Sequence, residues 1–389
     1  MTSTSGQTTV ADDTTTADAA YARLRRGTTL LWQGDFHNGR QLIRAVDRRL
    51  TKQAARKGKK KQSAGTAADL FLRQREDRAR RAEILGRIVV DLAERDGQWL
   101  LDLHRAPDVA GACGHAYGAP SRGESRRTPF TALQGVLGAY QWHLNGVEVP
   151  ALGEKVYPDY GVFSPTRSEY VDLVDDVAAA FLPSLKEGAS VLELGTGTGV
   201  LAAVLARRGA VRVTATDVNP RAVACARANL DRLGVGERCE VVEADLWPAV
   251  SEATRSTETT ETTETTDAAD AADAAGIVVF NPPWLPGTPT SELELGIYDA
   301  SSDALRRFLT ELTDHLTDGG EGWLVLSDLA EHLGLRTREQ LETWISDGGL
   351  QVLGRSDTTP RHPKVLREDD PLHVARSREV TSLWRLGRM

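Results

Sequence analysis

Two short stretches carry residues whose types and spacing suit chemistry. In E-L-G-T-G-T-G-V-L, Gly195, Gly197 and Gly199 lie between an apolar run and an amphipathic one. Glycines in a strand-to-helix turn let backbone N–H groups approach a ligand with no Cβ in the way, and the helix N-terminus behind them favours a negatively charged group. In I-V-V-F-N-P-P-W (277–284), four apolar residues run straight into Asn281, Pro282, Pro283 and Trp284. Asparagine offers a carbonyl acceptor. Proline fixes its own φ and restricts the residue before it, which makes a rigid acceptor loop.

The glycine spacing narrows the ligand. A dinucleotide fingerprint, G-x-G-x-x-G/A, needs Gly or Ala at position 200, and Val200 stands there. G-x-G-x-G with Glu193 two residues ahead, and Thr196 inside the turn, fits S-adenosylmethionine. Asp217 ends the next strand-like run, placed to accept from both ribose hydroxyls. Asp245 ends the third, placed to accept from the adenine N6 amine, with Val218 and Leu246 sandwiching the ring. An acid at Asp217 serves NAD equally well. An NAD-dependent oxidoreductase is therefore an alternative, opposed by Val200 and by the lack of a placed hydride-transfer acid.

E-L-G-T-G-T-G, T-A-T-D, V-E-A-D-L and V-F-N-P-P-W occur in that order. Over residues 150–386 the chain resembles the class I methyltransferases that alkylate amide or exocyclic amine nitrogens. Among them are the protein-glutamine N5 enzymes, the ribosomal guanine-N2 enzymes and the adenine-N6 enzymes. Residues 157–174, Y-P-D-Y-G-V-F-S-P-T-R-S-E-Y-V-D-L-V, resemble the lead-in helix of the first two. The resemblance implies a catalytic set of Asn281, Pro282 and Trp284. The target nitrogen is planar and a poor nucleophile, and accepting both of its N–H bonds raises its electron density and aims its lone pair. The Asn281 side-chain carbonyl is one acceptor, the Pro282 backbone carbonyl the other, and Trp284 a face for stacking. Asn281 also belongs to the cofactor-binding set with Glu193, Gly195, Thr196, Gly197, Gly199, Asp217, Val218, Asp245 and Leu246. Tyr is usual after the second proline in the glutamine enzymes and Phe in the guanine enzymes. Trp fits neither and is compatible with adenine-type sites, so the resemblance leaves the substrate open. Arg167 and Glu169 correspond to a segment packed over the cofactor, where lining the site and capping a helix are both open.

The elements that must position these residues alternate from about residue 180 onward. Strand-like runs at 190–195, 211–217, 239–245, 276–281, 322–327, 350–355 and 379–386 are separated by helical patterns at 201–208, 219–233, 303–316 and 338–345. This predicts an α/β fold: a Rossmann-like, seven-stranded, doubly wound sheet that binds ligands at the carboxyl ends of its strands. The expected methyltransferase domain is 151–389, with 251–275 a low-complexity insertion. Residues 21–150 read as a mainly helical substrate-recognition domain, with helices over L-I-R-A-V-D-R-R-L and over 67–92 and a short strand or helix end at 98–103. Asp35 or Asn38 is the expected N-cap of the first of these. Residues 1–20, rich in Thr, Ala and Asp, read as disordered.

Charge bears on partners. The 389-residue chain has a formal net charge of −8, yet residues 40–87 hold 16 Lys/Arg against 5 Asp/Glu, a local +11, so the rest carries −19. Such a segment is either a nucleic-acid footprint or a solvated loop between helices, and T-K-Q-A-A-R-K-G-K-K-K-Q has no interleaved aromatic residue. The expected partner is nucleic acid, RNA ahead of DNA, or a protein glutamine. A non-catalytic nucleic-acid-binding protein is the other-class alternative. No run is long and apolar enough for a membrane, no secretory signal is visible, and three scattered cysteines suit a reducing cytoplasm. His362 and His373 lack partners at metal-ligand spacing, so no metal is expected.

Overall fold

A computed structural model describes residues 7–60, 65–184, 190–248, 274–289, 292–361 and 370–389. The chain forms two compact units, Met1–Leu144 and Asn145–Met389.

The first unit runs β1 (Thr8–Ala11), α1 (Ala17–Arg25), β2 (Thr29–Trp32), α2 (Phe36–Lys60), α3 (Ala67–Leu85), β3 (Ile88–Arg95), β4 (Gln98–Leu101), α4 (Ala110–Tyr117), β5 (Ser125–Pro129) and α5 (Phe130–Asn145). Helices dominate, as the sequence predicts, but they pack on a five-stranded sheet that it does not. β1, β2 and β3 are parallel neighbours, and β4 and β5 pair antiparallel with β3. The expectation of disorder over residues 1–20 fails from Thr8 onward. T-T-V-A takes its hydrogen bonds from β2, and the Thr16 hydroxyl caps α1 by accepting from the Ala19 N–H. Residues 1–6 lie outside the described residues. Within the expected helix 67–92, α3 stops at Leu85, and the β-branched run I-V-V joins the sheet. The basic stretch expected as a loop is helical as far as Lys60. Asp35 is the N-cap of α2, its Oδ1 accepting from the N–H groups of His37 and Asn38.

The second unit begins with the hairpin β6 (Val147–Val149) and β7 (Glu154–Val156), then α6 (Glu169–Phe181). It continues with β8 (Ser190–Leu194), α7 (Val200–Arg207), β9 (Arg212–Asp217), α8 (Pro220–Arg232), β10 (Cys239–Glu243) and β11 (Ala275–Phe280). After the short pair β12 (Leu285–Pro286) and β13 (Tyr298–Asp299) come α9 (Asp303–Glu311), β14 (Leu316–Ser327), α10 (Leu329–His332), α11 (Arg338–Asp347), β15 (Leu350–Thr358), α12 (His373–Arg376) and β16 (Thr381–Arg388). The insertion expected at 251–275 lies, up to residue 273, outside the described residues, as does His362.

The seven-stranded sheet has the order β10-β9-β8-β11-β14-β16-β15. The first five strands are mutually parallel, and β16 is antiparallel to both of its neighbours. Alternate residues feed two cores. Val191, Ile277, Val279, Trp323 and Val325 face the layer of α6, α7 and α8, while Leu192, Val278, Phe280, Leu324 and Leu326 face that of α9 and α11. Burial on both faces is why these strands read as continuous apolar runs. Chain order reverses direction between β8 and β11, and there the crevice opens. Leu194, Thr216 and Phe280 stand in one register row across β9, β8 and β11. The next residues, Gly195, Asp217 and Asn281, therefore emerge side by side at the sheet's carboxyl edge.

Candidate active site

A cavity of about 420 Å³ occupies that edge, within the size range of small-molecule sites. Its wall includes Glu193, Gly195, Thr196, Gly197, Asp217, Val218, Asp245, Leu246 and Asn281 of the residues expected from sequence. Gly199, Pro282 and Trp284 are not in the wall.

The glycine turn is tied to the end of β9. The Gly197 N–H donates to Asp217 Oδ2 at 2.9 Å, the Thr196 N–H to the Thr216 carbonyl at 2.8 Å, and Asp217 Oδ1 accepts from the Asn219 N–H at 2.9 Å. Gly197 has φ +56°, and a Cβ there would meet the Phe163 carbonyl at an ordinary contact distance of 3.9 Å. Gly199 serves another purpose. A Cβ on it would sit 3.2 Å from the Ala226 backbone, so it lets α7 and α8 approach and leaves the ligand to others. Glu193 is buried below the turn, held by the Thr196 hydroxyl, which donates to its Oε2 at 2.7 Å. Burial pushes the Glu193 carboxyl up to about 8 and raises Asp217 as well.

Val218 is 58 % exposed, an apolar side chain left open at the cavity. Leu246 holds φ +66°, a left-handed conformation that costs a non-glycine residue about 1–3 kcal/mol. The Thr216 hydroxyl stabilises it by donating to the Leu246 carbonyl at 2.6 Å. Asp245 is paired with Arg307, whose NH1 lies 2.9 Å from Oδ2.

The acceptor loop departs from expectation at its tryptophan. Trp284 Nε1 donates to Asn281 Oδ1 at 2.8 Å. The indole is half-buried against both cores and meets Tyr170 edge to face with centroids 6.4 Å apart. The Arg167 guanidinium lies over the ring, 5.8 Å from its centroid, and donates to the fully buried side chain of Glu379 at 2.9 Å. Arg167 thus neither lines the cavity nor caps a helix. Glu169 is the buried first residue of α6 and is not in the wall either.

Sequence reasoning missed several wall residues. Phe163 and Tyr170 lie in the 157–174 lead-in, whose resemblance was the available signal. Asp299 and Asp303 carried none. Asp299 is buried and caps α9, accepting from the Leu305 N–H, and its carboxyl is raised by burial. With Glu193, Asp217 and Asp245 they make five carboxylates in the wall, which contains no Lys, Arg or His among the described residues. Glu193 is neutral below about 8 and Asp245 is paired with Arg307, so the acidic character of the wall rests on Asp217, Asp299 and Asp303; with no cation among them it favours a cationic nucleoside over a pyrophosphate.

The chain is similar to known methyltransferases. The methyltransferase small domain family matches residues 154–257. A putative protein N5-glutamine methyltransferase of Methanocaldococcus jannaschii is 26 % identical over 189 residues, covering 47 % of this chain and 80 % of that protein. A ribosomal protein L11 methyltransferase of Pelotomaculum thermopropionicum is 44 % identical over 62 residues, 16 % of this chain and only 20 % of its own length. Among solved structures, a SAM-dependent methyltransferase from Geobacter sulfurreducens in complex with S-adenosyl-L-homocysteine aligns over 56 % of this chain and 91 % of its own, at 17 % identity and TM-score 0.34. No described helix is long and apolar enough to cross a membrane. Residues 154–257 match the methyltransferase small domain, and the unit that holds them is a Rossmann-like, seven-stranded, S-adenosylmethionine-dependent methyltransferase domain.

Proposed function

We propose that the chain methylates a planar exocyclic amine of a base in RNA. When bound, S-adenosylmethionine supplies an electrophilic methyl group. On this reading Asp217 holds the ribose hydroxyls, Asp245 the adenine amine, and Val218 and Leu246 the faces of the ring, with Gly195 and Gly197 giving close backbone approach. Glu193 and Thr196 set the charge beneath the turn.

Asn281 Oδ1 and the Pro282 carbonyl accept the two N–H bonds of the target. The nitrogen lone pair is thereby freed from the ring and directed at the methyl carbon, and the extra proton leaves to water after transfer. Trp284 contributes by orientation. Its N–H holds the Asn281 carboxamide in one rotamer, with the oxygen toward the indole.

The observation that carries this reading is the position of Asn281, in the cavity wall and one residue past the register row that also presents Gly195 and Asp217. The test is to incubate cell extract with the protein and methyl-labelled cofactor, then divide the product between nuclease and protease. Label released by nuclease supports the RNA reading; label released only by protease rejects it. A protein glutamine is the second reading, favoured by the 80 % span over the archaeal relative named as a protein N5-glutamine methyltransferase.

A further inference from the structure

Helix α2 carries a row of cations whose order becomes visible only once the helix is seen to run unbroken from Phe36 to Lys60. Arg40, Arg44, Arg48, Lys52 and Arg56 follow one another at intervals of four. Each step climbs about 6 Å and turns about 40°, so the row crosses one side of the helix diagonally over about 24 Å. That side is the solvent side: Leu42, Ile43, Val46 and Leu50 are buried on the other, and the last four cations are exposed.

The row is uncompensated. Asp47 is the only acid on the helix, and it is taken by Arg81 of α3, whose NH2 lies 2.6 Å from Oδ1. Arg49, off the row, is taken by Asp18 of α1 at 2.7 Å. Among the described residues no acid pairs with Arg44, Arg48, Lys52 or Arg56. Like charges at i, i+4 destabilise a helix by about 0.2–0.5 kcal/mol per pair, and this row holds four such pairs in succession. An exposed face made for solubility alternates its charges; this one does not.

The chemistry of the face also narrows its partner. No aromatic residue stands between the cations, so unpaired bases have nothing to stack on. The apolar side of the helix is buried in its own unit, so nothing is left to enter a lipid surface. An exposed row of cations spaced about 6 Å apart is complementary to a regular line of phosphates. We infer that the α2 row is a sequence-independent docking surface for the phosphate backbone of double-helical RNA, which brings the methyl acceptor to the enzyme. The inference rests on the RNA reading of the target and adds to it a surface in a different unit of the chain.

The test uses the full chain, a fluorescein-labelled RNA hairpin and anisotropy measured across a salt series. The comparison is between wild type and R44Q/R48Q/K52Q/R56Q, all exposed positions, with circular dichroism and cofactor affinity as checks on folding. Four lost phosphate contacts should flatten the slope of log K against log salt by about 3.6 and weaken binding at least tenfold at low salt. Equal slopes for the two proteins would overturn the inference. So would tighter binding to a DNA duplex, an anionic vesicle or poly-glutamate than to the hairpin. The labelling experiment keeps the two claims separate: label in RNA with unchanged slopes rejects only the docking surface, whereas label confined to protein rejects the target reading.

Discussion

The cavity and helix α2 use charge in opposite ways. Five carboxylates line the cavity and five of the helix's nine cations form its row, yet the two sets obey different physics. Glu193 and Asp299 are buried and Asp217 is half-buried; all three are hydrogen-bonded to named partners and shifted upward by desolvation. Their influence is short in range, specific and little screened by salt. The α2 cations stand in water, act by summation and fade over about one Debye length, near 8–10 Å at physiological salt. Charge becomes chemically selective where water is excluded and the partner is fixed; in the open it recruits without choosing.

The largest expected effect is at the acceptor loop. Asn281→Ala should lower turnover about 100- to 1000-fold, the loss typical of one preorganised hydrogen-bonding group, while calorimetry finds cofactor affinity within a few-fold of wild type. Equal loss of both would make Asn281 structural and place the selectivity of the cavity elsewhere. Asp217→Ala should weaken cofactor binding about 10- to 100-fold, because it removes the proposed ribose acceptor together with the anchor of the glycine turn. Unchanged affinity by calorimetry contradicts the ribose assignment.

Trp284→Phe keeps a ring and deletes the N–H. If the indole acts by orienting Asn281, the expected result is a fall of about tenfold in kcat at constant KM for the cofactor, read from label transfer. If it acts by stacking, kcat hardly moves.

The smallest effect is a pH dependence. Glu193 is held neutral by burial below about 8 and is ionised above it. A cation gains from the ionised form, so cofactor affinity should rise by up to tenfold between about pH 6.5 and 8.5, and Glu193→Gln should abolish the trend. The stability contribution runs the other way. With the folded pKa above the unfolded one, it is complete below about 4.5 and is lost as pH climbs through about 8. A flat affinity profile in the wild type would remove Glu193 from the charged set and blur the contrast with the helix.

Most of the second unit could be read from the chain because local pattern and tertiary role coincide there. Strands β8 and β11 are buried on both faces and run straight into candidate site residues, so an apolar run followed by Gly195 or Asn281 marks both the element and the site, and Asp217 closes the partly buried β9 beside them. The first unit resisted for the opposite reason. β1 and β2 have four residues each, and T-T-V-A becomes a strand only through its partner. Wall residues such as Asp299 arrive from far along the chain, and no local pattern announces them. Gly199 kept its conformation but not its expected neighbour, since its contact with Ala226 depends on how two helices cross. The cation row is plain in the letters once the helix is known, and the expectation of a loop concealed it.

The hydrogen bond from Trp284 to Asn281 has a consequence for stoichiometry. An amide oxygen has two lone pairs, and the indole occupies one, so Asn281 has a single vacancy for the incoming group. On the proposed mechanism a fresh amine fills it and still has a second hydrogen for Pro282. Once methylated, the nitrogen has only one hydrogen left and must forfeit one of its two holds. The product should therefore carry one added methyl group and no more, and mass spectrometry revealing a dimethylated product would show that the grip is looser than the indole allows.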